Sequence, residues 1–400
     1  MPRPTGGATD ATAATTAAAR WQAAQPYVRA AAIFLCSRLI VILAINIAAI
    51  YLPLWKSDVW QSGSRWYDHL LRWDSQWYAG IAAQGYHYNG DPNDLQPVVF
   101  YPLYPLVSRW VAAVLGIGVA EALLVVANLA AFLAVLLFCK LVRQRFGDQV
   151  ALWSVAFLSF YPGSLFLSAG YSEPLALLLM LCCFALLNDR RYVLASACAG
   201  LAAATRSTGI VLTAVLLWEL WLRFRTERGR LVLHAIPCLI LATSGLWLYM
   251  IYLGAVFGHP LAFADAQAAF NGATSLAGRL GAAVTLQPFR HLRFTDVSPA
   301  GLDQWFFILF LALTVLGWKR LSSSLVLFML GLLMVPYLTL SGGPGGLTSM
   351  TRFCVLAFPA FIVLADLCRR AVWLGLALIG LSAAVLGLWS ALFAQWYWVG

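Results

Sequence analysis

The stretch VAEALLVVANLAAFLAVLLFCKL, residues 119–141, decides the fold. Its only ionisable groups other than Cys139 are Glu121 near the start and Lys140 near the end. At ~1.5 Å per residue, a helix of this length runs about 34 Å, enough to cross ~30 Å of hydrocarbon. Comparable apolar blocks recur along the chain. Across all 400 residues, 62% are hydrophobic and 10% charged, against about 25% charged in a soluble domain. So few charges cannot cover a water-facing surface, so lipid is the solvent for most of the chain. In lipid, backbone polar groups must be satisfied internally, by helices or by a closed barrel. Alternating strand-length segments are absent from the sequence. The expected fold is therefore an all-α polytopic membrane protein.

Crossing segments are expected near 30–52, 119–141, 150–168, 174–188, 191–205, 209–222, 232–256, 302–318, 322–340, 353–368 and 371–392. The stretch 98–118 holds Pro102, Pro105 and Arg109 and reads better as an in-plane or re-entrant helix. Charge tests this threading. With the N-terminus inside, sixteen of the 26 basic residues fall on inside loops. They cluster beside helix ends, as at Lys140–Arg145, Arg190–Arg191, Lys319–Arg320 and Arg369–Arg370, where the positive-inside rule acts. The reading is eleven crossings, N-in and C-out. Residues 1–25 read as a disordered cytoplasmic tail, and 26–400 as one transmembrane domain. Its outer loops lie at about 53–118, 257–301 and 341–352.

The formal net charge of +10 does not point to nucleic acid, because the basic residues sit in topology-setting clusters. The eight cysteines lie in or at the ends of apolar segments with no CxxC, and the five histidines have no HExxH-like spacing. Neither a disulfide framework nor a metal site is expected, and no cofactor is called for. The first apolar run is too long for a signal peptide and lacks a cleavage pattern.

Four polar constellations fall on the expected outer face. The first is RWDSQWYAGIAAQGYHYNGDPNDLQPVVFYPLYP, residues 72–105. Trp73, Trp77, Ile81 and Tyr86 recur near helical spacing, so 70–84 reads as an amphipathic interfacial helix. Asp74 on that helix is either a carboxylate able to take a proton from a sugar hydroxyl or an N-cap. His87, Tyr88 and Asn89 suit a polar acceptor or a turn. The second is SAGYSEPLALLL, 168–179, where Glu173 beside hydrocarbon needs a partner or a function, or else serves the helix N-terminus. The third is Arg206 in AAATRSTGIVL, and the fourth is Arg352 after the glycine-rich SGGPGGLTSMT. The Arg206 guanidinium suits either a phosphate or a lipid headgroup; Arg352 suits a phosphate, with its glycine-rich loop either moving over a bound ligand or serving as a plain turn between two helices.

These residues resemble the GPI mannosyltransferase II (PIG-V) family and its bacterial relatives. Trp73-Asp74, Gly85-Tyr86 and Phe100 to Pro105 match that family's first-loop strings in order. Ser168, Ala169, Tyr171, Ser172 and Glu173 match a Ser-Ala-x-Tyr-Ser-Glu string. Ala204-Thr205-Arg206-Ser207 matches a third, and Arg352-Phe353 running into Phe358-Pro359 a looser fourth. The departures are Gln76-Trp77 after the Asp-Ser and a compact second long loop, which bear on the acceptor more than on the reaction class.

The resemblance implies a GT-C type helical bundle that moves mannose, with inversion, from a polyprenyl-phosphate-mannose donor at the extracytoplasmic face. Carried over, Asp74 is the catalytic base. Glu173 would orient the acceptor or donor sugar. Trp73, Tyr86, His87 and Tyr171 are further substrate-binding candidates, and Arg206 and Arg352 are candidates for the leaving phosphate on charge and placement rather than on the family motifs. The acceptor is a lipid or glycan, membrane lipids surround the chain, and the family's eukaryotic members work with a partner subunit, which nothing in this sequence itself indicates. Compact loops and Ala/Arg-rich composition point to a bacterial plasma membrane. The competing readings are a GT-C enzyme using another polyprenyl-phosphate sugar and a transporter or flippase of a lipid-linked sugar.

Overall fold

The computed structural model describes residues 7–56, 64–272, 275–290, 299–340 and 347–400. Among them the chain is helical, with no strand. The helices in chain order are α1 (Gly7–Tyr51), α2 (Asp74–Gln84), α3 (Leu103–Leu115), α4 (Val119–Phe160), α5 (Glu173–Asn188), α6 (Tyr192–Thr205), α7 (Val211–Phe224) and α8 (Arg228–Phe257). There follow the short α9 (Ala262–Asp265), α10 (Gln267–Asn271) and α11 (Leu276–Val284), then α12 (Pro299–Gly317), α13 (Ser323–Leu340), α14 (Met350–Cys354), α15 (Pro359–Cys368) and α16 (Val372–Ala394).

Among the described residues, six helical stretches are long and apolar enough to cross a membrane: Gln22–Tyr51, Val119–Phe160, Ser207–Phe224, Arg228–Phe257, Ser323–Leu340 and Val372–Ala394. The other segments expected to cross fall mainly on shorter apolar helices. Each element keeps its backbone bonds internal, as lipid demands.

Several boundaries differ from expectation for local reasons. The expected crossings at 119–141 and 150–168 are joined in α4, whose one non-helical residue is Gly147 at φ 84°. Glycine takes that conformation without a Cβ penalty, so one residue does the work of a loop. The second half ends at Phe160 because Pro162 cannot continue the ladder, and Pro162–Leu167 winds on as a 3-10 turn. The stretch 353–368 is split at Pro359, leaving α14 as a five-residue turn. The tail read as disordered is helical from Gly7. Its alanine-rich sequence supplies the best helix former. Residues 57–63, 273–274, 291–298 and 341–346, within the three loops expected on the outer face, lie outside the described residues.

Close backbone packing holds α6 against α8. A Cβ added at Gly245 would lie 2.1 Å from the Gly200 carbonyl oxygen and 2.4 Å from Ala204 N. Small residues at a lipid-embedded interface let backbones approach in this way. The contact fixes the C-terminal end of α6, which carries Arg206.

Arg38 on α1 is buried and fastens the 3-10 turn. It donates to the carbonyls of Ser159 at 2.8 Å and Ser164 at 2.6 Å, and to the hydroxyls of Ser164 and Ser168, each at 2.9 Å. These carbonyls lie where the helix breaks at Pro162, so the guanidinium takes over acceptors that the ladder leaves behind. The turn leads directly into Ser172 and Glu173.

Candidate active site

Asp74 opens α2. The residue before it, Trp73, has φ 55°, a conformation that costs a non-glycine residue about 1–3 kcal/mol and persists only when its surroundings fix it. Here they do. The Trp73 ring meets Trp55, Trp396 and Trp398 at centroid distances of 5.9, 5.8 and 5.4 Å. The N-cap position belongs to Trp73 and carries no side-chain cap bond, so the capping reading of Asp74 falls away. The Asp74 carboxylate instead accepts from Arg352 Nη1 at 2.5 Å.

Arg352 also donates through Nε to Glu173 Oε1. Arg206 reaches the same Glu173 oxygen through Nη1 at 2.6 Å and the Ser172 hydroxyl at 3.1 Å. Two arginines and two carboxylates thus form one cluster of zero formal charge. That balance is what makes its burial tolerable, since an unpaired buried ion is costly. Side-chain exposure is 0% at Glu173, 7% at Arg352 and 9% at Arg206, but 19% at Asp74. Asp74 is the most open member. Glu173 Oε2, Arg206 Nε and the Ser75 hydroxyl find no hydrogen-bond partner among the described residues.

Aromatic rings wall the cluster. The Arg352 guanidinium lies 4.6 Å from the Tyr171 ring centroid and 5.5 Å from that of Phe166. Arg206 lies 5.3 Å from that of Phe353. Tyr171 donates to the Arg72 carbonyl at 3.3 Å. Tyr78 bonds the Ser172 hydroxyl at 2.8 Å, and burial pushes its hydroxyl up to about 12, so it stays a neutral phenol at ordinary pH.

Asp74, Glu173, Arg206, Arg352, Tyr171 and Trp73 therefore come together from distant parts of the chain. Tyr86 and His87 do not join them. Tyr86 donates to the Phe100 carbonyl at 2.7 Å and packs beside Tyr249 and Tyr252 of α8, while His87 is exposed. An open cavity of about 770 Å³ lies between the 88–92 loop and 259–279, with Tyr88, His259, Asp265 and Arg279 on its wall. None of the four clustered charges lines it. Among the described residues, no group of three His, Cys, Asp or Glu side chains gathers as a metal site would need.

Three contributors escaped the sequence reading. Trp396 and Trp398 pack on Trp73, and Asp303 on α12 binds the backbone just before Arg352. For Asp303 the available signal is a carboxylate at the edge of an apolar run, where an acid is costly without a role.

The profile of a family described as mannosyltransferase (PIG-V) matches residues 35–257, more than half of the chain. A curated relative, GPI mannosyltransferase 2 of Drosophila pseudoobscura pseudoobscura, is 36% identical over 115 residues, covering 26% of this chain and 24% of that protein. GPI mannosyltransferase 2 of Cryptococcus neoformans var. neoformans is 32% identical over 151 residues, 35% of this chain and 34% of that protein. The chain thus matches about a quarter to a third of the length of these relatives. Among solved structures, the archaeal oligosaccharyltransferase AglB from Archaeoglobus fulgidus aligns at TM-score 0.43 and 14% identity, over 90% of this chain and 55% of that one.

Proposed function

The chain belongs to the mannosyltransferase (PIG-V) family, and on that premise we propose that it is an inverting GT-C glycosyltransferase. It moves mannose from a polyprenyl-phosphate-mannose donor to a lipid or glycan acceptor at the extracytoplasmic face of a membrane, in a bacterium the plasma membrane. One observation carries the reading. The most open carboxylate, Asp74, shares a buried cluster with two arginines and a second carboxylate.

The chemistry follows from the charges. The acceptor hydroxyl oxygen attacks the anomeric carbon from the side opposite the phosphate. Its proton passes to Asp74 as the new C–O bond forms. The bond from the anomeric carbon to the phosphate oxygen breaks, and polyprenyl phosphate leaves carrying one more negative charge. Arg352 and Arg206 meet that charge with directional donors, which count for more in a buried site than in water. The unused Arg206 Nε and Glu173 Oε2 supply a donor for phosphate and an acceptor for a sugar hydroxyl. Trp73 and Tyr171 hold the carboxylate and the guanidinium in place.

The basic clusters on the opposite loops support the outward placement. A donor with a polyprenyl tail arrives laterally from the bilayer, which suits a catalyst embedded among apolar helices.

Membranes containing the chain, incubated with labelled polyprenyl-phosphate mannose and total lipid, are expected to yield a labelled glycosidic product. Flux of label across sealed vesicles with no new glycosidic bond would overturn the enzyme reading in favour of a transporter. Product formed only from another polyprenyl-phosphate sugar would overturn the choice of mannose.

A further inference from the structure

Asp303 lies on α12 with 2% of its surface exposed. Its Oδ2 accepts the Ser349 backbone N–H at 2.6 Å. Its Oδ1 accepts the Thr351 N–H at 2.7 Å and the Thr351 hydroxyl at 2.8 Å. The Thr351 carbonyl is taken from the other side by the Tyr161 hydroxyl at 3.0 Å. Thr351 is therefore gripped at its amide, its side chain and its carbonyl, and the next residue is Arg352.

The grip matters because α14 spans only Met350–Cys354. A single isolated turn has no stability of its own. Ser349 enters it at φ 66°, a left-handed conformation that a serine does not adopt freely. Three hydrogen bonds to one buried side chain are what such a turn needs to stay in place.

We infer that Asp303 is the positioning residue for Arg352. It fixes the turn from which that guanidinium reaches both Asp74 and Glu173, and it touches neither substrate nor reacting atoms. The inference rests on the reading of Arg352 as a phosphate partner. It adds a carboxylate outside every motif that carried the family resemblance.

The test uses the full chain in detergent or nanodiscs. Asp303→Asn keeps the shape but sets an amide N–H₂ against backbone donors, so at least one bond is lost. Transfer should fall about ten- to hundredfold, the scale expected of a misplaced catalytic group. Donor KM should rise while acceptor KM stays put. The double variant D303N/R352Q should be no slower than R352Q alone. Amide exchange should quicken across 347–354 and stay unchanged in α13. Thr351→Val removes one bond only and serves where D303N fails to fold; it should show the same pattern, more weakly. Wild-type exchange across 347–354 in these variants, or losses that multiply in the double variant, would overturn the inference. If R352Q itself transfers sugar normally, the phosphate role of Arg352 fails instead, and the exchange measurement alone judges the Asp303 clasp.

Discussion

Arg352 Nη1 lies 2.5 Å from Asp74 Oδ2, closing a contact between residues 278 positions apart. The same guanidinium bonds Glu173, and Arg206 completes the group. The same four side chains are the proposed reacting groups and a buried charge network, so variants of the cluster must be read for both activity and stability.

Glu173→Gln separates the two roles. Its side chain is fully buried between two arginines, so neutralising it leaves Arg206 without a carboxylate. Breaking one side of a buried pair costs about 3–5 kcal/mol. Unfolding measured in a bilayer mimic should show a loss of that order. A change under about 1 kcal/mol would mean that the cluster is not a structural element.

This cluster also shows what a sequence can disclose. Asp74, Glu173, Arg206 and Arg352 stand out because a charge beside hydrocarbon is anomalous. Their mutual pairing was not legible, since nothing local links Glu173 to a residue 179 positions on. His87 and Tyr86 lie in the same loop as Asp74 and yet point elsewhere, because Gly85 at φ 88° ends α2 and redirects the chain. The helical blocks were legible from hydropathy, whereas the one-residue bend at Gly147 was not. The same holds for the Trp396–Trp398 cover over Trp73, which depends on how the chain after α16 folds back.

Arg38 offers a second stability test. Arg38→Met would remove four buried hydrogen bonds, although the Ser159 carbonyl keeps the Ser164 hydroxyl as a donor, and should cost about 3 kcal/mol. Arg38→Lys should recover part of this, because a single ammonium cannot match the spread of a planar fork. Thermal unfolding of both variants in the same detergent checks the order wild type, Lys, Met.

His69 supplies a test of pH dependence. Burial, reinforced by the neighbouring Arg72, holds its imidazole below the ordinary value of 6.5. Its Nδ1 lies 3.1 Å from Arg72 Nη2. The unfolded chain takes up a proton near 6.5 and the folded chain resists it, so stability is complete above that pH and declines as pH falls below it. The thermal midpoint should drop between about pH 7.5 and about pH 5.5. His69→Asn should shrink that drop; an undiminished drop would place the titrating group elsewhere.

Asp74→Asn removes the carboxylate proposed to take the acceptor proton. The measurement is kcat for transfer from labelled polyprenyl-phosphate mannose, using protein whose insertion and thermal midpoint match wild type. Loss of a general base should lower it about 10²- to 10⁴-fold, the usual contribution of such a group, with donor binding largely kept. A variant that transfers within about twofold of wild type would contradict that role for Asp74.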